Sequence, residues 1–294
     1  MRILSNTHID FLGKRKLAFF VSVLLVILSI ALIIVKTPNW GIDFTGGSLV
    51  HVEFSDNPTS GQLRNIMEKE GFRDTNIQQF QDEEIAIIRV RSQEEGIVDT
   101  IRTSFNRSFG EENFEILRSE TVGPAVGGYL REKAVKAFLF AFLGIIIYVA
   151  WRFKGGVWGL AAVVALIHDV IITFGVLIFT GVTINLPVVA ALLTLAGYSI
   201  NDSIVIYDRI RENRRLKYKD SLFDVINMSI NDTLSRTLVT SGTTLAVVLA
   251  LFFKGGEVLH GFSVALITGI IVGTYSSVYV ASPLVYAWQS RGKK

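Results

Sequence analysis

The sequence predicts a polytopic α-helical membrane protein with one α+β domain outside the membrane. Half of the 294 residues are hydrophobic and the mean hydropathy is +0.45, which is high for a soluble domain. Six apolar stretches are long enough to cross a bilayer. A long polar segment, residues 36–133, follows the first of them and alternates between strand and helix patterns. These observations together predict six spans and one inserted domain.

Each apolar stretch approaches the length of a membrane-spanning helix, about 20 residues at a rise of ~1.5 Å per residue. No small-residue cleavage pattern follows the first stretch, so we expect it to remain as a span and not to be removed as a signal peptide. The predicted segments are an N-terminal segment at 1–16, spans at 17–35, 134–151, 157–180, 186–207, 238–253 and 261–288, the insert at 36–133, a loop with an amphipathic helix at 208–237, and a tail at 289–294.

Lys and Arg are concentrated in alternate connections between the spans. The loops after the second and fourth spans are basic, whereas the loop after the third span contains neither residue. By the positive-inside rule, both termini are predicted to be cytoplasmic and the insert extracytoplasmic. The chain contains no Cys, which excludes disulfides, thiolate metal sites and Cys nucleophiles.

The insert has the pattern of a small α+β module. Strands are predicted at 48–54, 76–80, 84–90 and 113–122, and helices at 59–70 and 93–109. Thr59 or Ser60 is available to cap the first helix. The polar stretch 81–83 predicts a hairpin turn between two of the strands. The order β-α-β-β-α-β is that of the split βαβ, ferredoxin-like module.

Two glycine patterns favour close backbone approach. Residues 41–47 (GIDFTGG) precede the first predicted strand, where glycines suit a tight turn. A phosphate-binding loop is disfavoured there, because no Lys-Ser/Thr pair and no helix follow it. Gly269 and Gly273 form a G-x-x-x-G pair on the sixth span, which allows close packing of helices.

The amphipathic segment in the loop after the fourth span has apolar residues at a spacing of four. They are Leu222, Ile226, Ile230 and Leu234. Such a stripe suits a helix that lies on the membrane or on a partner. It suits equally a helix packed against the cytoplasmic ends of the bundle, and both interpretations stay open.

The fourth span contains a carboxylate, Asp202, within an apolar run. A charge in the membrane costs about 2.5–3.5 kcal/mol on insertion scales, so an intramembrane carboxylate indicates a functional site by default. Thr194, Tyr198 and Asp202 recur at a spacing of four, and Ser199 borders the face that they share. We expect this face to point into the bundle, because lipid cannot hydrogen-bond these groups. A purely structural hydrogen-bonding role for Asp202 is the alternative.

The fifth span carries a similar polar stripe that begins at Arg236 and continues through Thr240, Thr243 and Thr244. Because the fourth and fifth spans run in opposite directions, Asp202 and Arg236 fall at comparable depth and are able to pair. Alternatively, Arg236 has no role at Asp202. Its long side chain then only reaches the membrane–water interface, or the residue only reflects the excess of Lys and Arg on the cytoplasmic side. The predicted polar intramembrane face comprises Thr194, Tyr198, Ser199, Asn201, Thr240, Thr243 and Thr244.

The third span contains a second titratable pair, His168 and Asp169. The pair suits either a proton relay or a supporting hydrogen-bond network. No set of His, Asp and Glu has the spacing of metal ligands, so no metal site is predicted.

Several stretches in register resemble the SecF branch of the SecD/SecF protein-export family, within the RND superfamily. They are residues 41–47 (GIDFTGG), 122–127 (VGPAVG), 165–170 (ALIHDV), 197–213 (GYSINDSIVIYDRIREN), 235–244 (SRTLVTSGTT) and 273–283 (GTYSSVYVASP). SecD shares some of these motifs but usually has a much larger outer region, so the length of this chain favours SecF. The resemblance implies RND-like packing of the six spans.

The resemblance also implies a function. A SecF-type subunit in the bacterial inner membrane would work with a SecD-type subunit and use the proton-motive force to help unfolded preproteins leave the Sec channel (SecY/SecE/SecG). By motif position, Asp202 and Arg236 would conduct protons, and Asp169 with His168 would take a less defined part. The expected coupling ion is H⁺, with Na⁺ still open. Neither a cofactor, an enzymatic reaction nor nucleic-acid binding is expected.

Two other functions remain open at this point. One is a proton-coupled exporter of small molecules of the RND type, which would normally need larger paired outer domains. The other is a structural subunit that only stabilises the translocon.

Overall fold

The structure is a computed structural model that describes residues 7–72, 75–79, 84–92, 96–153 and 156–291. Two compact units divide the chain: Met1–Asn39 with Ala137–Lys294, and Trp40–Lys136. The described elements are α1 (Arg15–Val35), α2 (Ile42–Thr45), β1 (Gly47–Phe54), α3 (Ser60–Lys69), β2 (Thr75–Gln79), β3 (Ile85–Val90), α4 (Ile97–Phe109), β4 (Phe114–Val122), α5 (Pro124–Phe153), α6 (Gly156–Thr180), α7 (Leu186–Leu216), α8 (Leu222–Lys254), α9 (Gly256–Ser276), a π-helical turn (Ser277–Ala281) and α10 (Ser282–Arg291).

Within the described ranges, six helical stretches are long and apolar enough to cross a membrane. They are α1, α5, α6, α7, α8 and the stretch Val258–Ser290, which runs from α9 through the π-helical turn into α10. The prediction of a polytopic helical membrane protein is therefore confirmed. In the turn, Ser282 donates its hydroxyl proton to the carbonyl oxygen of Ser277, five residues earlier, at 2.8 Å. Single π turns of this kind are frequent at functional sites.

Three helices extend beyond the predicted spans by more than a helical turn. The second span was predicted to begin at residue 134, but α5 begins at Pro124, where the missing N–H of proline costs nothing. The loop at 208–237 does not contain a separate amphipathic helix, because α7 continues to Leu216 and α8 runs unbroken from Leu222 to Lys254. Hydropathy marks only the apolar part of a helix, whereas the caps and the absence of proline decide where the helix ends.

The amphipathic start of α8 packs into the bundle, which resolves the alternative left open above. Val225, Ile226 and Ile230 are buried in one apolar cluster with Tyr207 of α7. The Ser221 hydroxyl accepts the Asp224 N–H at 3.1 Å and so caps α8 at its N-terminus. This part of the helix belongs to the hydrophobic core of the chain.

The segment before α1 is attached to the same part of α8 by two asparagines. The side-chain amide oxygen of Asn227, Oδ1, accepts the backbone N–H groups of Phe11 at 2.9 Å and Leu12 at 3.1 Å. Asn231 accepts the Ile9 N–H at 2.9 Å and donates back to the Ile9 carbonyl at 2.9 Å. Three backbone N–H groups of the segment before α1 are thus paired, while Phe11 and Leu12 bury their side chains.

The second unit contains a four-stranded sheet with the strand order β2-β3-β1-β4, in which every neighbouring pair is antiparallel. Alternate side chains of β1 face its core, where Phe54 makes an edge contact with Phe105 of α4 at a centroid distance of 5.5 Å. Leu63 and Met67 of α3 complete the same cluster. Thr59 caps α3 through a reciprocal capping box with Gln62. The predicted turn at 81–83 and the predicted helix start at residue 93 lie outside the described residues.

Gly46 and Gly47 lie where the chain enters β1, and a steric contact explains why the second of them is glycine. Gly47 has φ +119°, and a Cβ atom there would lie 2.5 Å from the carbonyl oxygen of Val90 on the neighbouring strand. Only glycine fits this position without moving β3 away from β1. The predicted tight turn is confirmed.

Candidate functional site: two carboxylates buried among the helices

Asp169 lies in a polar cluster that joins three helices. Its side chain is fully buried, with 0 % of its surface exposed. His168 Nδ1 is 2.8 Å from Asp169 Oδ1, and Ser276 of α9 donates to Oδ2 at 2.7 Å. Ser199 of α7 also donates to Oδ2. Both carboxylate oxygens therefore have partners, and those partners come from α6, α7 and α9.

Close packing of α7 against α9 makes this cluster possible. A Cβ atom at Gly273 would lie 3.0 Å from the Cβ atom of Ser199, and one at Gly269 would lie 2.4 Å from Leu195 Cδ1. The two glycines therefore allow a helix separation at which Ser199 and Ser276 reach the same carboxylate oxygen. The close approach predicted for the G-x-x-x-G pair is confirmed.

Asp202 lies on α7 among side chains of α8 and α9, with 3 % of its surface exposed. Ser241 Oγ of α8 is 3.4 Å from Asp202 Oδ2, and the same hydroxyl is 2.8 Å from Thr274 Oγ1 of α9. The hydroxyl of Ser241 is thus shared with a closer neighbour. The Asp202 carboxylate is buried nearly as deeply as that of Asp169, but it is held by one long contact.

Arg236 does not form the predicted ion pair with Asp202. Both side chains belong to the described part of the chain, and no salt bridge joins them. The buried side of this part of α8 is formed by Thr233, Thr237 and Ser241, whereas Arg236 is exposed. It lines an open cavity of about 700 Å³ together with five carboxyl side chains, which are Asp208, Glu212, Asp220, Asp224 and Asp232.

The predicted inward face of α7 is wrong in part. Asp202 and Ser199 are buried and Tyr198 is half-buried, but Thr194 and Asn201 are exposed on the surface of this chain. The Thr194 hydroxyl donates to the Ala190 carbonyl of its own helix at 2.8 Å. The inner face instead follows Leu195, Ser199, Asp202 and Ile206. A spacing of four residues identifies side chains on one side of a helix. It does not show whether that side faces the chain's own bundle or another molecule.

The threonines of α8 that were predicted to belong to the polar intramembrane face are also not fully buried. Thr240 and Thr244 are half-buried and Thr243 is exposed. Each hydroxyl donates to a carbonyl three or four residues earlier in the helix; for Thr244 the acceptor is the Thr240 carbonyl at 2.9 Å. These side chains therefore satisfy themselves locally and do not contact Asp202.

Sequence reasoning missed two hydroxyl groups that contact the carboxylates, those of Ser241 and Ser276, and a third, that of Thr274, which hydrogen-bonds to Ser241. All three lie within stretches that carried the family resemblance, but none was singled out. Their signal is that small polar residues interrupt otherwise apolar spans next to glycine. Tyr275 was missed as well: its ring stacks on His168 at a centroid distance of 6.4 Å, and its hydroxyl donates to the Ala18 carbonyl at 2.9 Å.

In the described ranges, no three His, Asp or Glu side chains are grouped so that they would hold a metal ion. The site offers two carboxyl groups, an imidazole and several hydroxyls. Carboxyl and imidazole groups inside membrane helices are typical of proton and ion pathways.

A bundle of six apolar helices with buried carboxylates and a small inserted α+β unit defines a polytopic membrane protein of the transport type. The model of the family "Protein export membrane protein SecD/SecF, C-terminal" matches residues 100–291, and that of the "SecD/SecF GG Motif" matches residues 31–57. The chain belongs to the SecD/SecF family of protein export membrane proteins.

Similar proteins of comparable length are called protein translocase subunit SecF. That of Desulfurispirillum indicum is 45 % identical over 293 residues, which cover 97 % of this chain and 93 % of the relative. That of Vibrio alginolyticus is 44 % identical over 281 residues, covering 94 % of this chain and 88 % of the relative. The expected membership of the SecD/SecF family is confirmed.

Solved structures of SecDF have the same fold over this chain. The crystal structure of SecDF, a translocon-associated membrane protein from Thermus thermophilus, matches with a TM-score of 0.90 at 40 % identity and covers 97 % of this chain. SecDF in a form described as super-membrane-facing matches with a TM-score of 0.74 at 39 % identity and covers 99 %. The matched regions are 39 % and 40 % of those longer chains, so this chain spans about two fifths of their length.

Proposed function

We propose that this chain is a SecF-type subunit that couples proton movement through the membrane to late steps of protein export. The observation that carries this proposal is Asp202, a carboxylate buried among α7, α8 and α9 and held by one long contact to Ser241. A carboxylate with so few partners is able to gain and lose a proton without first breaking a hydrogen-bond network. The chain acts as an energy coupler and not as an enzyme, with H⁺ as the coupling ion and no other cofactor.

The available driving force matches the size of a conformational change. Moving one elementary charge through 100 mV is worth about 2.3 kcal/mol. A bias of this size changes a two-state population nearly fiftyfold, because every 1.4 kcal/mol corresponds to a factor of ten. One proton per cycle at Asp202 would therefore shift the bundle between two arrangements of similar energy.

Arg236 forms no ion pair with Asp202, and it lines the cavity of about 700 Å³ that also contains five carboxyl side chains, here called the acidic cavity. We assign to Arg236 the stabilisation of the ionised carboxylate in the arrangement that opens toward that cavity. The His168–Asp169 pair is assigned a supporting role near the path, because both oxygens of Asp169 already accept hydrogen bonds.

The inserted unit is proposed to be a ferredoxin-like domain on the outer side of the membrane, where it would contact the unfolded preprotein. Its element order and its antiparallel strand order β2-β3-β1-β4 support this assignment. The alternation of Lys and Arg between loops supports cytoplasmic termini, and the family supports the bacterial inner membrane.

A SecD-type subunit is the proposed partner within the membrane. Thr194, Asn201 and Thr243 are exposed on the surface of this chain although they lie within candidate spans. The amide of Asn201 cannot find a hydrogen-bond partner in lipid hydrocarbon, so a second polar helix surface would stabilise it. The name SecDF of the matched structures points to the same partner. Contact with the Sec channel would follow through that complex.

The test uses vesicles that contain the Sec channel, the SecD-type partner and this chain. Late export of a preprotein is measured with an imposed proton gradient, with a protonophore, and with Na⁺ replaced by choline. We expect the gradient to accelerate export only when this chain is present, and the protonophore to abolish the acceleration. Export that depends on Na⁺ and resists the protonophore would show that the coupling ion is Na⁺ and not H⁺. Acceleration without any gradient would favour the structural-subunit alternative.

Topology is tested by cysteine labelling, which is clean because the native chain has no Cys. Glu112→Cys and Lys217→Cys replace exposed side chains of the insert and of the connection after α7. A membrane-impermeant reagent applied outside intact cells should label position 112 and spare position 217. The opposite pattern would contradict the proposed orientation.

A further inference from the structure

An apolar groove of about 580 Å³ runs along the surface of the helical unit, away from Asp202. Its walls come from α1, α6 and the end of the last span, with Val23, Ile27, Ile167, Ile171, Pro283 and Leu284 among the lining residues. The volume lies within the range of about 300–1,000 Å³ that small-ligand sites occupy. Because the walls are mostly apolar and the groove opens to the membrane, its occupant must be apolar over most of its length.

The groove ends at two cations. Arg15 and Lys16, at the start of α1, line its mouth. Contacts fix the Arg15 guanidinium in place: it lies over the ring of Tyr286 at 5.2 Å and donates to the Leu12 carbonyl at 2.9 Å. Lys16 is exposed and forms no hydrogen bond or ion pair with the described residues. The mouth of the groove thus offers two positive charges, one held in place at Arg15 and one free to move at Lys16.

We propose that this groove binds one acyl chain of an anionic phospholipid whose headgroup phosphate lies at Arg15 and Lys16. Basic pockets between membrane helices commonly bind anionic headgroups, and a lipid supplies both required halves, an anion and a hydrocarbon chain. The proposal is independent of proton coupling and requires only that the helices lie in a bilayer.

The length of the groove favours a lipid over a helix of a partner protein. The lining residues of α1 extend from Arg15 to Ile27, which is about 18 Å at a rise of ~1.5 Å per residue. This is close to one leaflet of hydrocarbon, about half of a ~30 Å core. A transmembrane partner helix would instead need a contact surface through both leaflets.

The inner part of the groove reaches the Asp169 cluster. His168 lines the groove, and its Nε2 atom is buried with no hydrogen-bond partner among the described residues. Nδ1 of the same ring is 2.8 Å from Asp169. An acyl chain in the groove would therefore cover the outer side of the imidazole and keep water away from the carboxylate cluster.

The first experiment is a lipid titration of the purified protein, followed by native mass spectrometry in mild detergent. Phosphatidylglycerol is compared with phosphatidylcholine of the same acyl length. We expect one saturable phosphatidylglycerol site and weaker binding of phosphatidylcholine. Lys16→Gln should weaken phosphatidylglycerol binding about fivefold, since one basic group near the surface contributes on the order of 1 kcal/mol. Lys14→Gln is the matched control, because Lys14 is equally exposed but does not line the groove.

A second pair of variants tests the apolar half of the site. Ile167→Trp places a large ring in the groove, and Leu160→Trp places the same ring two turns earlier on α6, outside the groove. Only Ile167→Trp should abolish the saturable site, with thermal stability unchanged in both variants. Equal binding of the two lipids, or an effect of Lys14→Gln as large as that of Lys16→Gln, would overturn the proposal. A disulfide between Ile167→Cys and a cysteine scanned along a partner subunit would overturn it too, because a protein helix would then fill the groove.

Discussion

The two buried carboxylates of the helical unit differ in how they are held. Asp169 accepts hydrogen bonds from Ser199 and Ser276 and pairs with His168, so both of its oxygens are occupied. Asp202 is buried to nearly the same extent but has one contact at 3.4 Å, from a hydroxyl that lies closer to Thr274. Burial is therefore similar, whereas the number and length of the contacts differ.

The proposed function interprets this difference as one between a structural network at Asp169 and a proton-exchanging site at Asp202. A fully satisfied buried network stiffens the elements that it joins, and here it joins α6, α7 and α9. A carboxylate with one weak contact can change its protonation and its neighbours at small cost. The two sites share α7 and α9, so under the proposed function movement at Asp202 would take place against a scaffold that Asp169 holds together. The predictions below test this division of roles.

The largest expected effect is the loss of gradient-driven export in Asp202→Asn. The amide keeps the size of the side chain and can still accept a hydrogen bond from Ser241, but it cannot titrate. We expect normal membrane abundance and normal complex formation, with stimulation by the proton gradient reduced to the level seen with a protonophore. Asp169→Asn is the comparison variant and should retain gradient-dependent stimulation. Full stimulation in Asp202→Asn would assign Asp202 a structural role, and complete loss in Asp169→Asn would place Asp169 on the proton path.

The opposite ranking is expected for stability. Asp169→Leu leaves the Ser199 hydroxyl and His168 Nδ1 without their partner, while Ser276 keeps its 3.1 Å hydrogen bond to the Gly273 carbonyl. Each buried group left without a partner costs about 1–3 kcal/mol. Asp202→Leu removes one long contact and leaves Ser241 bonded to Thr274. Thermal unfolding in detergent should therefore show a clear loss of Tm for Asp169→Leu and little change for Asp202→Leu. Equal losses of Tm would contradict the division between a scaffold and an exchanging site.

Arg236→Ala should reduce gradient-dependent export without a large loss of stability. The side chain is exposed and contributes its charge at the acidic cavity, so its removal disturbs the electrostatics more than the packing. Arg236→Lys keeps the charge and should retain part of the stimulation. Arg215→Ala is a suitable control, because Arg215 is equally exposed but does not line the cavity. Similar export defects in both alanine variants would mean that only the overall basic charge matters.

The smallest expected effects are those of Ser276→Ala and Ser241→Ala, which should differ in their change of Tm. Ser276 donates to Asp169 at 2.7 Å, and hydrogen bonds to charged groups contribute about 1.5–3 kcal/mol. Ser241 lies 3.4 Å from Asp202, at the weak end of hydrogen-bond distances. Ser276→Ala should lower Tm measurably, whereas Ser241→Ala should change Tm little and shift only the pH dependence of gradient-driven export. A larger stability loss for Ser241→Ala would reverse the comparison.

Much of the fold could be predicted from the sequence because its signals are local. Apolar length determines the six spans, and alternation together with caps such as Thr59 determines the strands and helices of the insert. Helix ends were predicted less well. The start of α5 at Pro124 and the unbroken course of α8 depend on backbone hydrogen bonds that continue into polar sequence, and hydropathy does not register these.

The sequence by itself determined that Asp169 and Asp202 are exceptional, because a carboxylate within an apolar span is costly wherever its helix packs. Only the tertiary structure decided which hydroxyls reach each of them, that no ion pair joins Arg236 to Asp202, and that Thr194 is exposed. The physical reason is that helical spacing limits each residue to one side of its own helix. The rotation and separation of neighbouring helices depend on packing between residues far apart in sequence, such as Gly273 against Ser199.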